Sequence, residues 1–372
     1  MKQTLHQLLV PIFLLTVILA VNAEAGDPPE WLSEVAIPLS NGKDAVIQRF
    51  VPTYADALQL RQYQQVTLAE WSKFLGAFEH RSVLPKKFSV LERWEHEPGI
   101  ARWLIEYETE PGQQVQAFLL MPSEIKEKLP GKVKLPGVVV FHSTVDNSLF
   151  QPVGLSGKED VAVTEAEMRK AYALHLARQG YVTISPRNYL WPKNFGIAAK
   201  EQAAAFQKRS PDRTGMARML LDGHCAVDIL CSLDQVDSSR IGVVGHSLGA
   251  KEALYLAAFD PRVIASVSCE GGLGIGQSNW DAPWYLGAGC VKSSFDLNHH
   301  QLVAAIAPRA FLLIGGQSAD GDASLPLLQE AYQAYVAAGK PEHLGFYNHC
   351  QGHVVTEQAL QRSLEWLHWR LK

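Results

Sequence analysis

The feature that most restricts the fold is a series of short apolar segments that alternate with longer amphipathic ones after Pro136. The apolar segments lie at 138–141, 181–184, 241–244, 263–268, 311–314 and 344–347. Short, uninterrupted apolar runs are typical of strands buried on both faces of a sheet. The amphipathic stretches predict helices at 165–179, 215–233, 249–259, 325–338 and 356–371. Regular β–α alternation predicts an α/β fold with a mostly parallel central sheet and helices on both faces.

The segment before this region differs in composition. Aromatic and helix-forming residues dominate 26–100, with the clearest helix at 54–78, and they predict a helical N-terminal accessory segment packed on the core. Two β-rich runs follow, separated by the four residues from Glu110 to Gln113, whose Pro-Gly centre is typical of a tight turn. We expect a hairpin at one sheet edge, at the start of a single large domain over 101–372.

The N-terminal residues 1–25 have the pattern of a signal peptide. Lys2 precedes an uncharged apolar run from Leu8 to Val21, and small residues follow at Ala23 and Ala25. The run is short for a bilayer span. We therefore expect a secreted or periplasmic protein, cleaved after Ala23 or Ala25 and without stable membrane insertion. An uncleaved N-terminal anchor is the alternative.

Charge and cysteine content exclude several classes of protein. The formal net charge of −4 provides no basic field for nucleic acid, so no nucleic-acid partner is expected. The chain has only five cysteines, without metal-ligand spacing, and neither a metal nor a cofactor is expected. Export would permit a disulfide, and Cys269 with Cys290 is the first pair to test. Cys225 and Cys231 lie six residues apart on a predicted helix and are interpreted as structural thiols on different faces.

The strongest chemical signal is Gly245-His246-Ser247-Leu248-Gly249, between a predicted strand and a predicted helix. This is the context of a nucleophile elbow, in which a sharp turn exposes a serine above the sheet. The turn strains the serine backbone, and glycines on both sides leave room for it. Ser247 is therefore the candidate nucleophile.

A serine hydroxyl needs a histidine base and a carboxylate that orients the histidine. His353 follows the last predicted strand and is preferred over His349 because it lies closer to the terminal helix. For the acid, Asp320 is preferred because it follows the strand at 311–314. Asp322 on the same loop and Glu270, at the end of the preceding strand, are the alternatives.

The oxyanion of an acyl-transfer reaction needs preorganised N–H donors. One is expected from the residue after the nucleophile, Leu248, and another from the loop after an earlier strand, at Thr144 or its neighbour. His142, on that loop, is interpreted as a packing residue rather than a second base.

On these residues the chain resembles the α/β-hydrolase superfamily over 101–372, and within it the dienelactone hydrolase-like and acetyl xylan esterase-like proteins. The segment Asn298-His299-His300-Gln301-Leu302, leading to Ile306-Ala307-Pro308-Arg309, is similar to one in glucuronoyl esterases, which cleave esters of glucuronic acid on xylan. The resemblance implies a sugar-contacting role for Lys251. It also makes Glu270 similar to the position from which some members take their acid.

One residue departs from that family. Glucuronoyl esterases have an arginine directly after the nucleophile, where this chain has Leu248, and leucine cannot replace a guanidinium charge. We therefore infer a relative of the carbohydrate esterases, with the acyl group and the alcohol left open. Trp280 and Trp284 follow Glu270 and could form a wall on which a sugar stacks, or could pack internally.

The sequence thus predicts a secreted serine hydrolase of a carboxylic ester, acting on a small-molecule or polysaccharide ester of acetyl xylan or glucuronoyl type. The mechanism expected is an acyl-enzyme formed by Ser247, His353 and Asp320. The alternatives are a prolyl oligopeptidase-like peptidase and a non-catalytic binding protein on the same fold.

Overall fold

The computed structural model describes residues 28–35, 57–76, 86–126, 134–145, 147–192 and 199–372. The signal peptide expected over 1–25 and its two cleavage sites lie outside these ranges.

Within the described ranges, nine strands form one sheet in the order β1-β2-β3-β5-β4-β6-β7-β8-β9. The strands are β1 (Ser89–Glu97), β2 (Ile100–Glu110), β3 (Gln113–Pro122), β4 (Leu135–Phe141), β5 (Val182–Pro186), β6 (Val236–His246), β7 (Val263–Cys269), β8 (Ala310–Gly315) and β9 (Leu344–Asn348). Neighbours among β4 to β9 run parallel, whereas β1, β2 and β3 are antiparallel to their neighbours. The predicted mostly parallel sheet is confirmed, and so are its six apolar strands.

Helices cover both faces of the sheet, as predicted. They are α1 (Ala57–Leu75), α2 (Glu165–Met168), α3 (Tyr172–Arg178), α4 (Ala199–Arg209), α5 (Gly215–Ser232), α6 (Leu248–Phe259), α7 (His299–Ile306), α8 (Leu325–Ala337) and α9 (Glu357–Leu371). One apolar core includes α1 and α5 to α8, and the core on the opposite face includes α3 and α9. The helix expected at 165–179 is divided into α2 and α3, and α4 and α7 were not predicted.

Helix α1 packs on the main core through Trp71. Its indole is fully buried, stacks on His299 at a ring-centroid distance of 5.3 Å and meets the edge of Tyr255 at 5.7 Å. The side-chain amide of Gln64 donates to the carbonyl oxygen of Ala307 at 2.7 Å. This part of the accessory segment therefore covers α6 and α7, which flank the candidate site.

The sheet extends further toward the N-terminus than the sequence suggested. The hairpin of β2 and β3 is present, but β1 pairs with β2 and forms the edge, so placing the hairpin itself at the edge was wrong. Strand β1 precedes the boundary expected at residue 101. Its charged residues, among them Glu92, Arg93 and Glu95, are exposed, as is common on edge strands, and they conceal the apolar signal of a strand.

The five cysteines are all free thiols. The pair named as the first to test, Cys269 and Cys290, is not bridged, because these residues lie in apolar cores on opposite faces of the sheet. Cys225 is buried and Cys231 is half-buried, in agreement with structural thiols. None of the helices in the described ranges combines the length and the apolar character needed to cross a bilayer.

Candidate active site

Ser247 occupies a sharp turn between β6 and α6. Its backbone has φ 60° and ψ −116°, a strained conformation for a residue with a side chain, and its N–H donates to the carbonyl oxygen of Cys269 at 2.9 Å. A Cβ atom added to Gly249 would lie 2.5 Å from the carbonyl oxygen of Phe141, and one on Gly245 would overlap the backbone of Gly249. Both glycines of the motif are therefore required by close backbone approach.

This crowding leads to a stability prediction. Gly249→Ala is expected to lower the free energy of unfolding by about 1–3 kcal/mol, because backbone atoms on either side must move apart. Denaturant unfolding followed by circular dichroism measures the change. Gly276→Ala is the matched control, since a Cβ there meets nothing within 4 Å, and it should stay within about 0.5 kcal/mol of the wild type. Equal stability of the two variants would contradict the prediction.

Ser247, His353 and Glu270 form one continuous chain of hydrogen bonds. The Oγ of Ser247 lies 2.8 Å from Nε2 of His353, and Nδ1 of His353 lies 2.9 Å from Oε2 of Glu270. The Glu270 side chain is fully buried, while that of His353 is 42% exposed. His349, the other candidate base, instead accepts a hydrogen bond from the N–H of Gln351.

Asp320 does not contact His353, so the expectation that it orients the histidine is wrong. Its buried carboxylate accepts hydrogen bonds from the N–H of Gly272 at 2.7 Å, the N–H of Leu273 at 2.7 Å and the hydroxyl of Ser324 at 2.9 Å. The carboxylate that meets His353 belongs to Glu270, the alternative from the neighbouring strand.

Backbone geometry explains this difference. Glu270 has a positive φ of 57° directly after β7, and its N–H donates to the carbonyl oxygen of Ile314 on β8. Asp322, the third candidate, is exposed and accepts hydrogen bonds from the side chains of Gln317 and Asn348. Neither aspartate of this loop therefore reaches the histidine.

Three backbone N–H groups surround the Glu270 carboxylate. Ala319 donates to Oε2 at 2.8 Å, Asp320 donates to Oε1 at 3.3 Å, and Gly316 also donates to Oε1. Burial alone would raise the pKa of Glu270, but the hydrogen bonds from His353 and these N–H groups outweigh it and lower the pKa. Glu270 is therefore an anion at neutral pH, and Nδ1 of His353 carries the proton that it accepts.

The loop that bears His353 is tied to the same region. The N–H of Gly352 donates to the carbonyl oxygen of Gly316 at 2.7 Å. The ring of His246 lies 4.9 Å from the ring of His353, and its Nδ1 is 2.9 Å from Oγ of Ser143. Sequence reasoning missed these supports, because backbone donors and ring packing leave no motif.

The two residues expected to stabilise an oxyanion line the same cavity. Leu248 is the first residue of α6, and the first N–H groups of a helix have no acceptor within it. The N–H of Ser143 already donates to the side chain of Gln151 at 2.9 Å. The candidate oxyanion donor of this loop is therefore the N–H of the following residue, Thr144. Leu248 and Thr144 both line a cavity of about 420 Å³.

His142 on the same loop is buried and fully hydrogen-bonded. Its Nδ1 donates to the carbonyl oxygen of Ser143 at 2.6 Å, and its Nε2 accepts from the N–H of Asn188 at 3.2 Å. Burial lowers the pKa of His142 to about 4. His142 is thus a neutral packing residue, as the sequence suggested.

Comparison with solved structures identifies the fold. A glucuronoyl esterase from Solibacter usitatus superposes with a TM-score of 0.64 at 15% identity, over 91% of this chain and 97% of that one. Acetyl xylan esterase 1 from Thermoanaerobacterium sp. superposes with a TM-score of 0.53 at 16% identity, over 93% and 99%. The chain has the α/β-hydrolase fold.

Sequence comparison finds similarity between this chain and carboxylic-ester hydrolases. The model of the dienelactone hydrolase family matches residues 127–282, which include Ser247 and Glu270. A 4-O-methyl-glucuronoyl methylesterase from Hypocrea jecorina is 28% identical over 144 residues, which are 30% of this chain and 30% of that relative. The match therefore spans less than a third of the relative's own length.

Two further residues of the chain differ from the roles expected for them. Lys251 and Trp280 are only 3% and 1% exposed, so neither offers a surface to a sugar. The ammonium of Lys251 donates to the carbonyl of Gly271 and to the hydroxyl of Ser278, and lies 4.3 Å above the ring of Trp280. Trp284, in contrast, is half-buried and lines the cavity.

Proposed function

We propose that this protein is a serine hydrolase that cleaves carboxylic esters, with Ser247 as nucleophile, His353 as general base and Glu270 as the orienting acid. The observation that carries the proposal is the unbroken chain of hydrogen bonds from Ser247 Oγ to the buried Glu270 carboxylate, at 2.8 and 2.9 Å.

The first half of the reaction forms an acyl-enzyme. Nε2 of His353 takes the proton of Ser247 as Oγ attacks the ester carbonyl, and the resulting imidazolium is stabilised by the ionised Glu270. The N–H groups of Leu248 and Thr144 are the proposed donors to the oxyanion. Collapse of the tetrahedral intermediate expels the alcohol, which takes its proton from His353.

The second half releases the acid. His353 takes a proton from water, the hydroxide attacks the acyl carbonyl, and Ser247 leaves with the proton returned by His353. Because the His353 side chain is 42% exposed, water can approach the base from solvent.

A carbohydrate-linked ester, of acetyl xylan or glucuronoyl type, is the proposed substrate class of an exported enzyme. The related esterases act on such compounds by name. The cavity beside Leu248 supports the class, because it combines the ring of Trp284, on which an apolar sugar face can stack, with the polar side chains of Thr144 and Asn279. The cavity is also lined by two charged residues, Lys200 and Glu201, whose charges have opposite signs.

The test is hydrolysis of four compounds: p-nitrophenyl acetate, acetylated xylan, a benzyl glucuronate and a proline peptide anilide. Each is measured with and without prior treatment by a serine-reactive phosphonate. Phosphonate-sensitive cleavage of a carbohydrate ester supports the proposal and identifies the acyl side. Cleavage of the anilide alone would favour a peptidase, and failure of the phosphonate to label the protein would favour a non-catalytic binding role.

Trp284 provides a separate prediction about specificity. Trp284→Ala is expected to raise KM for the carbohydrate ester about 10-fold, since loss of an aromatic contact is worth on the order of 1 kcal/mol. The KM for p-nitrophenyl acetate should change little, because its acyl group is too small to depend on the ring. Trp103→Ala is the control, since this half-buried residue of β2 packs against Arg93 away from the cavity. A parallel rise in both KM values would contradict the prediction.

A further inference from the structure

The peptide that joins Gly271 to Gly272 lies directly after Glu270, in a segment with little conformational preference of its own. Glu270 and Gly272 have positive φ angles of 57° and 83°. The left-handed region costs a non-glycine residue about 1–3 kcal/mol, and glycines restrict their neighbours weakly. Glu270 nevertheless has to keep this conformation to reach His353. Its orientation therefore depends on contacts from other elements.

Buried side chains of opposite charge hold the two ends of that peptide. The carbonyl oxygen of Gly271 accepts a hydrogen bond from Nζ of Lys251, and the N–H of Gly272 donates to Oδ2 of Asp320 at 2.7 Å. Lys251 and Asp320 are 3% and 2% exposed. The C=O and N–H of one peptide point in opposite directions. A flip would therefore turn the carbonyl oxygen toward a carboxylate and the N–H toward an ammonium.

The next backbone groups are also hydrogen-bonded to side chains. The N–H of Leu273 donates to the other oxygen of Asp320 at 2.7 Å. The carbonyl oxygen of Gly272 accepts from Nε1 of Trp280 at 2.7 Å, and that of Leu273 lies 2.8 Å from Nδ1 of His299. A flip of the first peptide would leave buried polar groups without partners, which is costly at each group.

We propose that Lys251 and Asp320 are positioning residues, which clamp the Gly271–Gly272 peptide from both ends and thereby aim Glu270 at His353. This inference rests on the proposed function, since it concerns the acid of that reaction. It assigns Lys251 to the acid-bearing loop instead of to the substrate. It also gives a role to Asp320, which occupies the position expected of the acid without contacting the histidine.

Nearby carboxylates and aromatic rings offset part of the cost of burying a charge on Lys251. Burial lowers the pKa of Lys251 to about 7, while Asp320 and Glu270 act in the opposite direction. The rings of Trp280 and Tyr285 lie 4.3 and 5.3 Å from Nζ and favour the charged form. Burial also raises the pKa of Asp320, while the N–H groups of Leu273 and Gly272 lower it. The clamp is strongest when Lys251 is protonated and Asp320 is ionised, because only then does a flipped peptide meet a repulsive charge at both ends.

The test compares Lys251→Met and Asp320→Asn with the wild type. Each is expected to lower kcat roughly 10- to 100-fold on both p-nitrophenyl acetate and a carbohydrate ester, with KM unchanged, because a displaced acid affects every substrate alike. The low-field proton resonance of His353 Nδ1–H should shift or vanish in both variants. Lys292→Met and Asp296→Asn make the same charge changes at exposed positions and should leave both readouts unaltered.

Three results would overturn the inference. The first is a rise in KM for the carbohydrate ester alone in Lys251→Met, which would make this lysine a substrate contact. The second is an unchanged His353 resonance with only a lower melting temperature, which would make the two residues merely structural. The third is strict additivity in the double variant, since two residues acting on one peptide should be less than additive. A wild type without phosphonate-sensitive hydrolysis would instead refute the proposed function, while the resonance would still report on the clamp.

Discussion

Replacing Ser247 by alanine is expected to lower kcat about 10⁶-fold, the scale found when the nucleophile of a serine hydrolase is removed. The reason is that His353 and Glu270 act only through the Oγ that the alanine lacks. Whatever rate remains would come from the N–H groups of Leu248 and Thr144 acting on a bound ester attacked by water. Steady-state hydrolysis of p-nitrophenyl acetate measures the loss.

The controls separate chemistry from folding. Alanine keeps the Cβ atom of serine and adds no bulk at the strained turn, so the variant should keep the wild-type circular dichroism spectrum. Intact-mass analysis should show a phosphonate adduct on the wild type and none on Ser247→Ala. Ser239→Ala, at an exposed position of β6, should retain full activity. Adding His353→Ala to Ser247→Ala should lower kcat little further, because the effects of residues that act as a unit are not additive. A residual rate within 100-fold of the wild type would exclude Ser247 as the nucleophile.

The sequence predicts Ser247 and His353 because their signals are local. Gly245 and Gly249 flank the serine at fixed spacing, and the crowding around each glycine in the structure explains why other residues do not fit there. His353 follows from chain order, since it lies between the last strand and the last helix. The central sheet was predictable from a local signal as well, because apolar runs such as 241–244 must be buried on both faces.

The acid could not be chosen from sequence because two carboxylates leave adjacent strands at the same edge of the sheet. Asp320 and Glu270 follow β8 and β7, which are neighbours. The choice depends on the positive φ of Glu270 and on the backbone N–H groups of Gly316 and Ala319 that receive its carboxylate. Neither is encoded in a motif.

The sequence also could not predict which individual side chains are buried. Trp280 and Trp284 are four residues apart in the same irregular segment, yet one indole is buried beneath Lys251 and the other lines the cavity. The burial of Trp280 depends on its packing against Tyr255 of α6 and His299 of α7, with ring centroids 5.8 and 4.1 Å away. Strand β1 was missed for a related reason, because only its pairing with β2 reveals it.

Glu270→Gln is expected to lower kcat about 10⁴-fold, as for other triads whose acid becomes an amide. The N–H groups of Gly316 and Asp320 both donate to Oε1, so the glutamine must place its oxygen there. Its NH₂ group then faces Nδ1 of His353, where two donors would meet. The histidine relieves this conflict by moving its proton to Nε2, and in that tautomer it cannot accept the proton of Ser247.

The comparison with Asp320→Asn makes this prediction specific. The kcat of that variant should fall only about 10- to 100-fold, because the substitution misaligns Glu270 without changing the tautomer of His353. The ratio of the two losses, measured as kcat on p-nitrophenyl acetate, therefore distinguishes the group that bonds the histidine from the one that positions it. A larger loss in Asp320→Asn than in Glu270→Gln would reverse the assignment. It would require Asp320 to leave the N–H groups of Gly272 and Leu273 and move to His353 during catalysis.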